Sequence, residues 1–223
     1  MDTTIDWSSH QNSRPASSKL QSSILDTLLG SLYSPSEWIF LIGGGPSLRG
    51  FDWEKLADRR CIAINAAGYS VPWADVLFFT DWRFYEAHRR LVDGFSGITV
   101  TDDRNTEASV DVLVQHTGSD DLDTEWPGIR HGDNSGYAAI NLAWHFGARR
   151  LALLGYDMCS SADGRMNFHG HYARHGNPAK VKSWVPHFER LDPDRYGLEI
   201  VNCSPESALT CFPKRSVDEV LWE

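Results

Sequence analysis

An α/β fold of the Rossmann-like, doubly wound kind, with a mostly parallel sheet and helices on both faces, is predicted by two features of the chain. Seven short runs rich in β-branched and aromatic residues, at 38–42, 61–65, 75–80, 98–101, 110–115, 151–154 and 198–202, read as nearly continuous apolar stretches. Strands covered on both faces have that pattern, whereas half-exposed strands alternate. Stretches with helical spacing lie between several of these runs, at 52–59, 82–92, 135–146 and 178–191, and strands that alternate with helices build parallel sheets.

Ahead of the first run, residues 1–17 are polar and serine-rich and predict a loosely ordered leader. From Ser18, residues Leu20, Ile24, Leu25, Leu28, Leu29 and Leu32 recur at helical spacing, predicting an amphipathic helix that ends near Gly30 or Pro35. Residues 18–223 then form one domain, because no repeat or low-complexity linker divides them.

A net charge of -9 and a pI near 5.4 argue against a protein whose main business is wrapping nucleic acid, since that affinity comes from Lys and Arg on phosphates. Cys61, Cys159, Cys203 and Cys211 form no CxxC pair, and no secretory signal precedes them, which points to reduced thiols in a cytoplasm. Cys61 and Cys203 read as small buried hydrophobes. No apolar run is long enough to cross a bilayer, so a soluble protein without a membrane partner is expected.

Ligands of such sheets bind beyond the carboxyl ends of the strands. There the sequence places Gly43-Gly44-Gly45-Pro46-Ser47, Asn65, Thr80-Asp81, Asp102-Asp103, Gly155-Tyr156-Asp157 and Asn202-Cys203-Ser204. Glycines after a strand adopt positive φ and let a ligand approach the main chain, whose N–H groups then face anionic oxygens; a tight turn with no ligand is the plainer reading. Neither familiar fingerprint fits. Walker A from Gly45 needs Lys and Ser where Phe51 and Asp52 stand, and GxGxxG from Gly43 needs glycine at Leu48. Pro46 and Ser47 suit a helix start.

In His131-Gly132-Asp133-Asn134-Ser135-Gly136-Tyr137, Asn134 or Ser135 is placed to cap the next helix, whose N-terminus is a natural anion site. The loop 167–177 carries His169, His171 and His175 with Tyr172 and Arg174. A metal site, a general base with phosphate-binding cations, and solvated histidines are the alternatives there. Asp81 and Asp157 end apolar runs and suit ribose hydroxyls, Mg²⁺ or helix capping.

The ordered string GGGPSL, IAIN, DVLFFTD, NSGYAAINLAWHFGARRLALLGYDM and a histidine-bearing loop resembles the DUF115-type group. That group includes the bacterial sialyltransferases of glycosyltransferase family 42, the flagellin-modifying motility accessory factors and the archaeal 6-hydroxymethylpterin diphosphokinases. The similarity runs over about 38–221 and is nearest to uncharacterised proteins of tailed phages and prophages. By resemblance to the sialyltransferases, Gly43, Gly45, Pro46, Ser47 and Asn65 surround a CMP-linked sugar, Ser135 and Gly136 start the helix beside it, and His175 is the catalytic base. The chain departs from that pattern at Gly44, where the family has Asn, and at Gly132, where it has a basic residue. By resemblance to the diphosphokinases, Asp81 is the strand-end acid of an enzyme that uses ATP and Mg²⁺.

The expectation is a transferase holding a nucleotide-linked donor across the strand ends, sialyltransferase-like in its preferred form. Gly43 to Ser47, Asn134, Ser135 and Gly136 take the phosphates, Asn65, Asp81 and Asp157 take base, ribose or metal, and His175 deprotonates an acceptor hydroxyl. The acceptor is a glycan or a modified base in phage DNA. Mg-dependent pyrophosphoryl transfer from ATP is the alternative enzyme, with Asp81 as metal ligand. A catalytically silent nucleotide-binding phage protein is the alternative of another class.

Overall fold

A computed structural model of the chain describes residues 31–171 and 178–223. The leader at 1–17 and the helix expected from Ser18 fall mostly outside the described residues.

Among the described residues, nine strands follow in chain order: β1 (Trp38–Ile42), β2 (Cys61–Ile64), β3 (Val76–Phe79), β4 (Ile98–Thr101), β5 (Val112–Leu113), β6 (Gln115–Gly118), β7 (Gly128–Arg130), β8 (Arg150–Leu154) and β9 (Glu199–Asn202). Seven of them form one sheet in the order β5-β4-β3-β2-β1-β8-β9, and every pairing in it is parallel. The chain winds outward from β1 to β5, then crosses to the other side of β1 to lay down β8 and β9. The reversal lies between β1 and β8, which pair from Trp38↔Arg150 to Ile42↔Leu154. Such a reversal splays the connections leaving neighbouring strands and opens a crevice at their carboxyl ends.

Among the described residues, four α-helices complete the layers: α1 (Trp82–Asp93), α2 (Ser135–His145), α3 (Pro178–Arg190) and α4 (Val217–Leu221). Successive strand side chains face opposite ways, and the two cores divide accordingly. Ile39, Leu41, Leu151 and Leu153 pack on one face with Tyr137, Leu142 and Phe146 of the α2 region and Phe188 of α3. Phe40, Ile42, Ala152 and Leu154 pack on the other with Phe84, Tyr85 and Val92 of α1 and Val220 of α4. The continuous apolar reading of the strands has its cause here, since β1, β2, β3 and β4 are buried at every position. Each fully buried Leu or Ile contributes roughly 1.5–3 kcal/mol of transfer free energy.

Three local expectations are corrected. The stretch 52–59 forms only a 3-10 turn, Trp53–Leu56, capped by the Asp52 side chain, because Leu56 alone is buried and a longer helix would bury nothing more. The run at 110–115 gives the main sheet only Val112–Leu113. Its exposed polar continuation, β6, leaves to pair with β7 in a separate two-stranded sheet. Helix α4 was not expected at all, although its start carries a capping box in which Ser216 and Glu219 satisfy each other's backbone N–H groups.

Helix α2 is buried almost all round, which its small and apolar residues Ala138, Ala139, Ile140, Leu142 and Ala143 allow. Asn141 is its fully buried polar residue. Its Oδ1 accepts from the N–H groups of Asp123 and Arg130 at 2.8 and 3.0 Å, and its Nδ2 donates to the Asp123 carbonyl at 3.0 Å. One amide thereby satisfies three backbone groups of the segment that carries β6 and β7, which fixes that segment on the helix.

Candidate functional site

A cavity of about 440 Å³ opens at the carboxyl ends of β1, β2, β3 and β8, beside the reversal of strand order. Its floor is the loop after β1. None of Gly43, Gly44 and Gly45 has positive φ, so the reason for glycine lies elsewhere. The loop is pressed against the turn after β8: the Gly43 N–H donates to the Leu154 carbonyl at 2.8 Å and the Gly45 N–H to the Gly155 carbonyl at 2.9 Å. A Cβ on Gly43 would stand 2.8 Å from the Gly155 carbonyl oxygen, and a Cβ on Gly45 would overlap the Asp157 carboxylate. The close approach that demands glycine is made by the protein's own turn after β8, through the Gly155 carbonyl and the Asp157 carboxylate.

Asp157 completes that clasp. It is 3% exposed, and it accepts from the Ser47 N–H at 3.0 Å and the Ser47 hydroxyl at 2.8 Å. Burial pushes its carboxyl above the usual carboxylate range, against the opposing pull of the Ser47 bonds. The turn is held from behind by the residues after β9: the Ser204 hydroxyl accepts from the Tyr156 N–H at 3.1 Å, and the Ser207 hydroxyl donates to the Tyr156 carbonyl at 2.6 Å. Asn202 is fully buried and bonds Ser207, Leu209 and Ser204. The polar residues after β9 therefore brace the floor and do not line the cavity.

The expectation that the glycine-loop amides face a ligand's phosphates is corrected for Gly43, Gly45 and Ser47, whose N–H groups are bound within the protein. Pro46 has no N–H and begins the 3-10 turn Pro46–Leu48. Gly43, Gly44 and Gly45 still line the cavity. Only side-chain tips, Asn167 Oδ1 at 3.3 Å and His169 Nε2 at 3.4 Å, lie near a Cβ built on Gly44.

Opposite that floor stands the N-terminus of α2. Asn134 is its cap, accepting from the Tyr137 N–H at 3.0 Å. The first-turn residues Ser135 and Gly136 line the cavity, and their N–H groups have no carbonyl four residues back to accept them. The Ser135 hydroxyl bonds Thr80 Oγ1 at 2.7 Å, tying the helix start to the end of β3. Gly136 is pinned from below, where the Tyr156 hydroxyl donates to its carbonyl at 3.0 Å. The positive end of the helix dipole therefore meets the cavity at a fixed position.

Asn65 follows β2 in a left-handed conformation, φ 53, and lines the cavity with Thr80, Asp81 and Phe84. Asp81 is exposed and caps α1, its Oδ1 accepting from the Arg83 N–H at 2.9 Å. Asp103 binds the Trp82 N–H at 2.9 Å and does not reach the cavity. Burial pushes the neighbouring Asp102 carboxyl up to about 7, with the charge of Asp103 adding to the effect. No group of three His, Cys, Asp or Glu among the described residues is arranged to hold a metal ion, so the metal-site reading of the histidine loop finds no support there.

The third wall comes from Met166 and Asn167 and, beyond the gap, from Lys180, Val181 and Trp184 of α3. Lys180, Trp184, Met158 and Met166 were missed as site residues. No local signal marks them, because the i, i+1, i+4 spacing of Lys180, Val181 and Trp184 says only that they share one helical face. His169 lies beside Gly44, and burial, with the neighbouring His171 and His88, pushes it down to about 4. His187 instead bonds Asp120 Oδ1 at 2.6 Å, away from the cavity lining. Tyr172, Arg174 and His175 lie outside the described residues.

No helix among the described residues is long and apolar enough to cross a membrane. Neither a protein-family profile nor a curated protein sequence matches the chain. Two solved structures are similar to it. The MAf glycosyltransferase from Magnetospirillum magneticum AMB-1 aligns at 16% identity and TM-score 0.55, over 85% of this chain and 35% of that one. The sialyltransferase CstII from Campylobacter jejuni, in complex with a substrate analogue, cytidine-5'-monophosphate, aligns at 15% identity and TM-score 0.48, over 82% of this chain and 86% of that one. The chain thus spans about a third of the length of the Magnetospirillum enzyme, with which it shares its fold.

Proposed function

We propose that the chain is a glycosyltransferase that holds a nucleotide-linked sugar in the strand-end cavity and transfers the sugar to an acceptor hydroxyl. The observation that carries this reading is the open first turn of α2, at Ser135 and Gly136, facing a cavity at the reversal of strand order. That is where parallel sheets bind nucleotides and where a helix dipole favours a phosphate. Lys180, across the cavity, adds a full positive charge for the same group. Asn65 and Thr80 offer polar atoms to ribose or base, and the CMP-linked donor follows from the sialyltransferase resemblance of the GGGPS and Ser135-Gly136 segments. The fold shared with a glycosyltransferase is in keeping with this.

In the transfer, an acceptor oxygen attacks the anomeric carbon, the bond from that carbon to the phosphate oxygen breaks, and the nucleotide leaves with the electron pair. The hydroxyl proton passes to the His175 imidazole, the base assigned by resemblance. Lys180 and the first-turn amides of α2 stabilise charge growing on the departing phosphate. Pyrophosphoryl transfer is the weaker reading, because its acids are otherwise occupied: Asp157 by Ser47, and Asp81 by the start of α1.

Turnover of CMP-, UDP- and GDP-sugars in EDTA, followed by nucleotide release, tests the reading. One donor is expected to turn over without metal, with a loss of a hundredfold or more in His175→Ala. Strict dependence on ATP and Mg²⁺ would overturn it, as would unchanged activity in His175→Ala for the assigned base.

A further inference from the structure

We propose that His131 is a positioning residue for the donor: its neutral imidazole holds the turn that delivers the first turn of α2 to the cavity, and taking up a proton releases that turn and weakens donor binding. This rests on the donor reading of the cavity at Ser135 and Gly136 and adds its regulation by pH. The turn runs from the end of β7 to the helix cap. Gly132 and Asp133 are successive left-handed residues, φ 49 and 54, and Asp133 lines the cavity directly ahead of the cap Asn134. A left-handed aspartate is strained and persists only where its surroundings hold it. Here the Gly132 N–H donates to the Ser119 carbonyl at 2.9 Å, and the Asn134 N–H to the His131 carbonyl at 2.6 Å. The Asp133 N–H donates to Nδ1 of the His131 ring at 3.0 Å.

An imidazole nitrogen accepts only while it has a lone pair, so this last bond requires Nδ1 to carry no proton. Protonation turns the acceptor into a donor and sets two N–H groups against each other. The carboxylate of the same residue, with Asp133 Oδ1 3.9 Å from Nδ1, is then the better partner. Movement toward it undoes the left-handed turn at the residue before the cap. Because that pairing offsets the new charge, little of it is left to attract a phosphate.

The surroundings set the pH at which this happens. His116 of β6 stacks on His131 with ring centroids 3.6 Å apart and 20° between planes. Its Nε2 donates at 3.0 Å to the Gly118 carbonyl, which also accepts the His131 N–H at 3.1 Å. His187 of α3 faces the turn too, its Cβ 3.0 Å from a Cβ built on Gly132, and is bonded to Asp120, which also pairs with Arg190. Burial first, then the charges of His116 and His187, hold His131 below the usual histidine range, with Asp133 opposing. The neutral form that holds the turn therefore prevails at neutral pH and gives way below about pH 6.5.

The test is calorimetric binding of CMP and UDP at about pH 7.5 and about pH 5 to the full chain, to His131→Asn and to His131→Ala. An Asn side chain accepts from the N–H two residues on and takes no proton in this range. Acidification is expected to weaken wild-type binding by about threefold or more beyond any weakening in His131→Asn. That comparison cancels the titration of the nucleotide and of the other histidines. At the higher pH, His131→Ala should bind about threefold or more weakly than His131→Asn. A smaller difference in either comparison would overturn the proposal. Nuclear magnetic resonance of the chain without nucleotide judges the turn separately: the Asp133 amide should shift with the titration of the His131 ring, and the midpoint should rise in His116→Ala. An amide indifferent to that titration, or a midpoint that does not rise, would overturn the switch. A linked amide with no binding of CMP or UDP would instead sink the donor reading while upholding the release of the turn by a proton.

Discussion

Replacing Gly45 by Ala tests the clasp that shapes the cavity floor. Gly45 has φ -65 and ψ 155, a conformation open to alanine, so backbone strain contributes nothing and the effect is one of space. The added methyl overlaps the Asp157 carboxylate and stands 2.5 Å from the Gly155 carbonyl oxygen, so the carboxylate must leave the Ser47 N–H and hydroxyl that it accepts from at 3.0 and 2.8 Å. Hydrogen bonds to a charged group contribute roughly 1.5–3 kcal/mol each and are not fully additive, which gives a loss of about 3–5 kcal/mol. For a domain of this size that is a fall in Tm of about 10 °C. Gly44→Ala is the control: its methyl meets only the tips of Asn167 and His169, at 3.3 and 3.4 Å, and should cost less than about 1 kcal/mol. Chemical denaturation of both variants decides. Equal losses, or a loss under about 1 kcal/mol for Gly45→Ala, would refute the view that self-contact demands glycine there.

Asp102, held up to about 7 by burial against about 3.9 unfolded, keeps its proton in the native state, so its contribution to stability is complete at low pH and disappears as pH rises to 7. Between pH 5 and 8 this amounts to about 2–3 kcal/mol; urea titrations should show it, and Asp102→Asn should flatten it. Asn134→Ala removes the bond to the Tyr137 N–H and should cost about 1 kcal/mol by the same assay. It should also weaken nucleotide binding severalfold in calorimetry, because the helix start that meets the phosphate is loosened. Lys180→Ala should weaken nucleotide binding about tenfold or more while leaving Tm within about 2 °C, since a cavity-facing cation supports the ligand and not the fold.

The sheet was legible because β1 to β4 are buried on both faces and so could not alternate. The helix at 135–146 was legible because Asn134 caps it. Less legible were features decided at a distance. A glycine after a strand reads equally as a place for ligand or for backbone, and only the turn after β8 shows that Gly43 and Gly45 make room for the chain itself. Asp157 reads as a free strand-end acid until Ser47, 110 positions away, is seen to occupy it. Lys180 and Trp184 carry no local mark of function, since their helix could have turned any face to the cavity. The pairing of β6 with β7 left no trace because both segments are short and β6 is largely exposed.

The central claim is that a nucleotide binds at the strand ends, between the first turn of α2 and Lys180. Thermal shift and calorimetry with CMP, UDP, ADP and ATP, each with Mg²⁺ and with EDTA, test it most directly. One nucleotide is expected to bind without metal. At a hundred times its Kd it should add about 2.7 kcal/mol of stability, an effect reduced in Lys180→Ala. No shift from any nucleotide, or a shift that Lys180→Ala and Asn134→Ala both leave untouched, would contradict the claim.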